Sequence, residues 1–94
     1  SKVFDLIYKL NKFKFKVDIY DPLVNFNLIK ELSQYKTFDK FENINKKYEA
    51  IVITVAHKSF FKIGINEIKK LCKTQHIIFD LKRVLPSKFS NLKL

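Results

Sequence analysis

Three short polar clusters hold most of the chemistry open to this sequence: Asp21-Pro22, His57-Lys58-Ser59 and Asp80-Leu81-Lys82-Arg83. Each follows a segment whose apolar pattern predicts a strand, and so falls where that strand ends. A cation beside free backbone N–H groups is a receptor for anions, so Lys58, Lys82 and Arg83 suit a diphosphate-like ligand. Asp21 and His57 complete the candidate rim. Asp followed by Pro is also a favoured way to open a helix, which makes a cap the simpler reading of Asp21. Histidine is a residue type suited to general acid or base chemistry, but His57 has no Ser or Cys nucleophile in a recognisable context. Ser59 reads as a cap of the helix that follows, and Phe60 and Phe61 read as core. Cys72, the single cysteine, is spaced with Ile65, Ile68 and Leu71 as if on the apolar face of a helix, and reads as a small buried hydrophobe. His57 and His76 have no second ligand at helical spacing and no surrounding carboxylates, which argues against a metal site. No catalytic residue is identified.

These clusters need a scaffold, and the apolar pattern supplies one. Val3, Leu6, Ile7 and Leu10 share one helix face, with Ser1 placed to cap it and Asp5 in the first turn. Phe15, Val17 and Ile19 alternate with polar residues in the manner of a strand. Asp21-Pro22 predicts a second helix bearing Val24, Leu28, Ile29 and Leu32, then a short extended piece at Thr37-Phe38 and an irregular stretch through Asn43-Ile44-Asn45. Residues 50–56, Ala-Ile-Val-Ile-Thr-Val-Ala, predict a strand covered on both faces. A helix carrying Ile65 and Ile68 follows, then a strand from His76 to Phe79, and the tail from Pro86 to Leu94 reads as loosely held. The order α-β-α-β-β-α-β predicts an open, doubly wound α/β domain with a parallel, Rossmann-like sheet of three to four strands. In such sheets ligands bind outside the carboxyl ends of the strands, which is where the polar clusters fall.

Ninety-four residues suffice for one domain, 1–94, and 47% apolar content with ten Phe supplies a core. No apolar run reaches the ~20 residues of a membrane span, so the chain reads as soluble and cytoplasmic. The net charge of +10 raises nucleic acid as a partner. Eighteen of the nineteen basic residues are Lys, dispersed along the whole chain. Base and phosphate recognition favours Arg, so a solvated surface is the better account and nucleic acid the lesser. The only glycine, Gly64, rules out a three-glycine dinucleotide fingerprint and a P-loop.

Three blocks carry a resemblance. Val17-Asp18-Ile19-Tyr20-Asp21-Pro22, the stretch from Tyr48 to Phe60, and Ile78-Phe79-Asp80-Leu81-Lys82-Arg83-Val84-Leu85-Pro86 are similar, in order and spacing, to the carboxyl-terminal, UDP-binding domain of UDP-glucose/GDP-mannose dehydrogenases. The Ala-His-Lys-x-Phe and Asp-x-Lys variants look most like the branch acting on UDP-N-acetylhexosamines in bacterial surface-polysaccharide synthesis. The resemblance implies an oxidoreductase that converts C6 of a UDP-sugar to a carboxylate with NAD. It also implies that NAD and the catalytic cysteine belong to N-terminal NAD-binding and central helical domains absent from this chain. The family's substrate-contacting basic residue falls on Lys82, with Arg83 its neighbour, and Cys72 does not match the nucleophile motif. The family's first strand and its Phe-Lys motif would precede Ser1. The resemblance therefore implies open sheet edges, weak or no UDP-sugar binding by these residues alone, and a tendency to form a homodimer. The alternative is a stand-alone basic α/β module that binds a nucleotide or nucleic acid, or serves oligomerisation.

Overall fold

The computed structural model describes residues 2–91, so the cap expected at Ser1 and the last three residues of the tail lie outside the described residues. The chain forms two compact units, Ser1–Ile44 and Asn45–Leu94.

In the first unit, helix α1 spans Lys2–Lys12, as the apolar spacing predicts, with Ile7 buried and Asp5 at its positive end. Its exit is a Schellman turn. Lys14 takes φ 72°, the Lys14 amide donates to the Asn11 carbonyl (3.0 Å), and the Phe15 amide reaches back to Leu10 (3.0 Å). That turn occupies the residues expected to begin a strand, so strand β1 is confined to Asp18–Tyr20 and Phe15 is 61% exposed. Strand β2, Lys36–Phe38, pairs with β1 in parallel, with Asp18 opposite Lys36 and Tyr20 opposite Phe38.

The helix expected after Asp21-Pro22 does not form. Two single 3₁₀ turns, Phe26–Leu28 and Lys30–Leu32, take its place, separated by Ile29 in an extended conformation. Local side-chain acceptors explain the difference. The Leu23 amide donates to Asp21 Oδ1 (2.8 Å) and the Asn27 amide to Asn25 Oδ1 (3.2 Å), which offers the backbone an alternative to helical bonding at two successive points. Leu32 is still buried, so the turns preserve the anchor that the apolar pattern marked.

The second unit is a β-α-β crossover. Strand β3, Tyr48–Ile53, leads into helix α2, Lys58–Lys69, and returns as strand β4, Cys72–Asp80, parallel to β3. Ala50 to Ile53 face Ile77 to Asp80 in unbroken register, so the strand read at His76–Phe79 corresponds to the regularly paired part. Between Tyr48↔Cys72 and Ala50↔Ile77 the ladder slips, and β4 bulges. His76 Nδ1 lies 2.7 Å from the Lys73 carbonyl and Lys73 Nζ 3.0 Å from Glu49 Oε2, contacts that tie the bulge down. Glu49 is fully exposed; its hydrogen bond to Lys73 leads the effects that hold its carboxyl below the usual value.

Two expectations for this unit need correction. Residues 50–56 do not form a strand covered on both faces. The strand stops at Ile53, and Val52, Val55 and Ile77 are 37%, 41% and 49% exposed. A single crossover helix covers one face, where Ile53, Ile68, Cys72, Ile78, Val84 and Leu85 form the core with Ile51, Phe60, Ile63 and Ile65 packed against it. Cys72 opens β4 rather than riding on a helix, because α2 ends at Lys69. It remains a small buried hydrophobe whose Sγ contacts the Ile68 carbonyl at 3.6 Å. Of the two phenylalanines assigned to the core, Phe60 packs there and Phe61 is 56% exposed.

Gly64 bends α2. Its φ of 75° and ψ of 171° lie in a region open essentially to glycine alone, although a side chain there would meet no atom within 4 Å. The constraint is conformational rather than spatial, and it lets Ile63 and Ile65 both pack against the core.

The tail is better held than expected. Asn91 acts as a one-residue strand against β4, its amide donating to the Ile78 carbonyl (2.8 Å) while its Oδ1 accepts from the Ile78 amide (2.8 Å). Ser90 Oγ accepts from the Asp80 amide (3.1 Å), and Lys69 and Lys88 both lie over the Phe89 ring.

Candidate functional site

The parallel pairing of β3 and β4 brings two of the three polar clusters to one carboxyl edge. Ile53 stands opposite Asp80, so His57-Lys58 and Lys82-Arg83 leave the sheet from the same end. Asp21 belongs to the first unit. There it closes an Asx turn, and its amide extends the β1–β2 ladder to the Phe38 carbonyl (3.0 Å). Burial first, then the carboxylates of Glu42 and Asp21, raises the neighbouring Tyr20 phenol above its usual value. The turn-forming reading of Asp21 accounts for its bonds.

His57 is the N-cap of α2, a place the sequence assigned to Ser59. Its Nδ1 accepts from the Ser59 amide (3.1 Å) and lies 2.7 Å from Ser59 Oγ, and its ring meets Phe60 edge-on at 5.9 Å. Capping therefore occupies the imidazole Nδ1 and one helix-terminal amide that an anion would otherwise use. Lys58 is exposed in the first turn at that edge.

The last cluster has the most defined geometry. The Leu81 amide donates to the Ile53 carbonyl (3.0 Å), which fixes one side of a tight loop. On the other side the Asp80 carboxylate, 2% exposed, accepts from Val84 through Oδ1 (3.0 Å) and from Leu85 through Oδ2 (2.8 Å). Val84 and Leu85 return at once to the core. Between these anchors stand two residues, Lys82 and Arg83, both exposed and both cationic. Arg83 holds φ 55°, a left-handed conformation that a residue with a Cβ adopts at a cost of roughly 1–2 kcal/mol. Beside it lies a cleft of about 390 Å3 lined by Asp80, Arg83, Leu85, Ser87 and Ser90. That volume falls within the range of small-ligand sites. Sequence reasoning chose Lys82 and Arg83 but missed Asp80 as their support. The available signal was the apolar Val84-Leu85 pair so soon after the cations, which marks an immediate return to the core.

Cys72 contributes no reactive thiol here. Burial dominates its surroundings and raises the thiol above its usual value against the smaller opposing effects of Lys69 and Lys47. A raised value in the fold means that folding opposes ionisation, so this group's contribution to stability is complete below about pH 8.5 and declines as pH climbs past that point. Iodoacetamide at pH 8 is expected to label the native chain far more slowly than the urea-unfolded chain. Equal rates would show the thiol to be accessible.

The profile of the UDP-glucose/GDP-mannose dehydrogenase family, UDP binding domain, matches residues 1–87. The chain belongs to this family. Among curated relatives of this chain, UDP-N-acetyl-D-glucosamine 6-dehydrogenase of Salmonella typhi is 32% identical and its namesake from Pseudomonas aeruginosa 31% identical, each over 94 residues and the whole of this chain. The chain spans 22% of the length of either relative. No solved structure matches. The four parallel-paired strands and the β3–α2–β4 crossover agree with the Rossmann-like α/β class expected for a UDP-binding domain of this family.

Proposed function

We propose that this chain is the UDP-sugar-binding part of an NAD-dependent nucleotide-sugar 6-dehydrogenase that oxidises C6 of a UDP-hexose or UDP-N-acetylhexosamine to the uronate. Family membership and the two dehydrogenase relatives support the reaction class. The two-residue cationic tip at the carboxyl edge of β3 and β4 is the observation that carries the binding role. Lys82 offers a mobile point charge and Arg83 a planar fork, and together they offset the charge of a diphosphate at the rim of the cleft.

The residues present do not fit NAD. The single glycine is spent on the kink of α2, and the turn from β3 into α2 is closed by the His57 cap instead of a glycine-lined phosphate cradle. In this reading the dinucleotide and the catalytic cysteine come from other domains of the enzyme, while this chain binds and orients the nucleotide. β3 is an edge strand of its two-stranded sheet, which suits pairing with those domains or with a second copy.

In an enzyme completed with the remaining domains of its relatives, Lys82→Ala is expected to raise KM for UDP-N-acetylglucosamine by roughly tenfold or more, the effect of one lost charge-assisted phosphate contact. kcat should change little, because binding in ground and transition states is lost together. Unchanged KM and kcat would remove Lys82 from the site.

A further inference from the structure

We infer that Asp80 is the positioning residue of the nucleotide site: its buried carboxylate fixes the backbone at Val84 and Leu85 and so holds Lys82 and Arg83 in their binding conformation. This rests on the reading of the cationic tip as the UDP contact.

Asp80 is the only charged or polar residue among those that are fully buried in the described chain. Both of its oxygens are spent on the main-chain amides of two consecutive residues, Val84 and Leu85. Its own amide is held by Ser90 Oγ (3.1 Å), so the residue is fixed from both the strand and the tail. The loop it closes is as short as it can be. Leu81 is pinned to Ile53, Val84 and Leu85 are pinned to Asp80, and the chain between has only Lys82 and Arg83 with which to turn. Arg83 reverses the chain with a positive φ, and a strained conformation of this kind persists only where its surroundings over-determine it. A carboxylate is the side chain suited to the task. It presents two acceptors, whereas the amide of Asn presents one acceptor and one donor, and so faces one of the two N–H groups with the wrong polarity. Asp80 lines the cleft, but its two carboxylate oxygens are engaged by the Val84 and Leu85 amides. It acts through the tip.

The test is UDP titration of the 15N-labelled chain, followed by amide shifts, for the wild type and for Asp80→Asn, Lys82→Ala and Asn91→Ala. Asp80→Asn is expected to raise the UDP dissociation constant about tenfold, as Lys82→Ala does, by freeing the tip. Asn91→Ala removes the latch on the Ile78 amide, outside the tip, and is expected to lower the unfolding midpoint while leaving the dissociation constant within about twofold. Two results overturn the role of Asp80: Asp80→Asn binding UDP like the wild type while Lys82→Ala does not, or Asn91→Ala losing affinity as far as Asp80→Asn. A wild type that fails to bind, or a Lys82→Ala variant that binds as well as the wild type, instead overturns the reading of the tip, and Asp80's role falls with it. Hydrogen exchange on the wild type covers the case in which Asp80→Asn does not fold. The Val84 and Leu85 amides should be protected and should gain protection when UDP is added; exchange as free as that of Lys82, with or without UDP, contradicts the proposal.

Discussion

Asp80→Ala is expected to remove about 3–5 kcal/mol of stability, read as a shift of the urea unfolding midpoint at unchanged slope. The substitution deletes two hydrogen bonds to a carboxylate and leaves the amides of two buried residues without acceptors. Hydrogen bonds to charged groups are worth about 1.5–3 kcal/mol each, and an orphaned buried N–H carries a further penalty unless water reaches it. Proteins of this size are stable by roughly 0.05–0.15 kcal/mol per residue, so the loss is a large share of the whole. A shift below about 1 kcal/mol would mean that water enters the turn and that the clamp is weaker than its geometry implies.

The second large effect concerns the two faces of β4. Ile78 is 1% exposed and sits in the core cluster with Ile53, Ile68, Val84 and Leu85. Its neighbour Ile77 is 49% exposed on the opposite face. Ile78→Ala is expected to cost about 2–5 kcal/mol, the sum of lost transfer energy and the cavity left beneath α2. Ile77→Ala should cost less than about 1 kcal/mol, since a half-exposed side chain surrenders little burial. The pair is a register test by chemical denaturation. A one-residue slip of β4 would exchange the two faces, and equal costs would contradict the register Ile51↔Ile78.

How much of this was legible in the sequence depends on how local the determining forces are. The β-branched run after Tyr48, the amphipathic spacing in Lys2–Lys12 and the apolar spacing of Ile65 and Ile68 dictate their elements directly, and the polar clusters after them mark the strand ends. Residues 22–32 misled because Val24, Leu28, Ile29 and Leu32 keep a helical spacing while Asp21 and Asn25 divert the backbone into turns. Spacing records which residues must be buried and not which hydrogen bonds carry the chain there. Cys72 was misplaced by the same logic, since a helix end at Lys69 puts Leu71 in the connecting turn and Cys72 at the start of the next strand without disturbing the apolar order. At the site, the sequence indicated Lys82 and Arg83 because cations at a strand end have few other uses. It could not indicate the Asp80 clamp or the Asn91 latch, which arise from side chains reaching across four to thirteen residues of chain.

Lys58 and His57 divide on similar grounds. Adjacent in sequence, they looked like one rim element, yet capping occupies the imidazole Nδ1 while the Lys58 side chain stands exposed. Asp21 shares the strand-end position but belongs to the other unit, where its carboxylate accepts from the Leu23 amide. Position relative to a strand is therefore a coarse guide to ligand contact, and the hydrogen bonds already made there refine it.

The claim on which the account turns is that UDP binds at the Leu81–Leu85 tip. Titrating UDP into the 15N-labelled wild-type chain and mapping the amide shifts tests it most directly. The account predicts saturable binding with a dissociation constant of roughly 1 mM, shifts concentrated on Leu81 to Leu85, and an effect that fades as salt is added. Shifts confined to residues 1–44, or none at all at millimolar UDP, would contradict it.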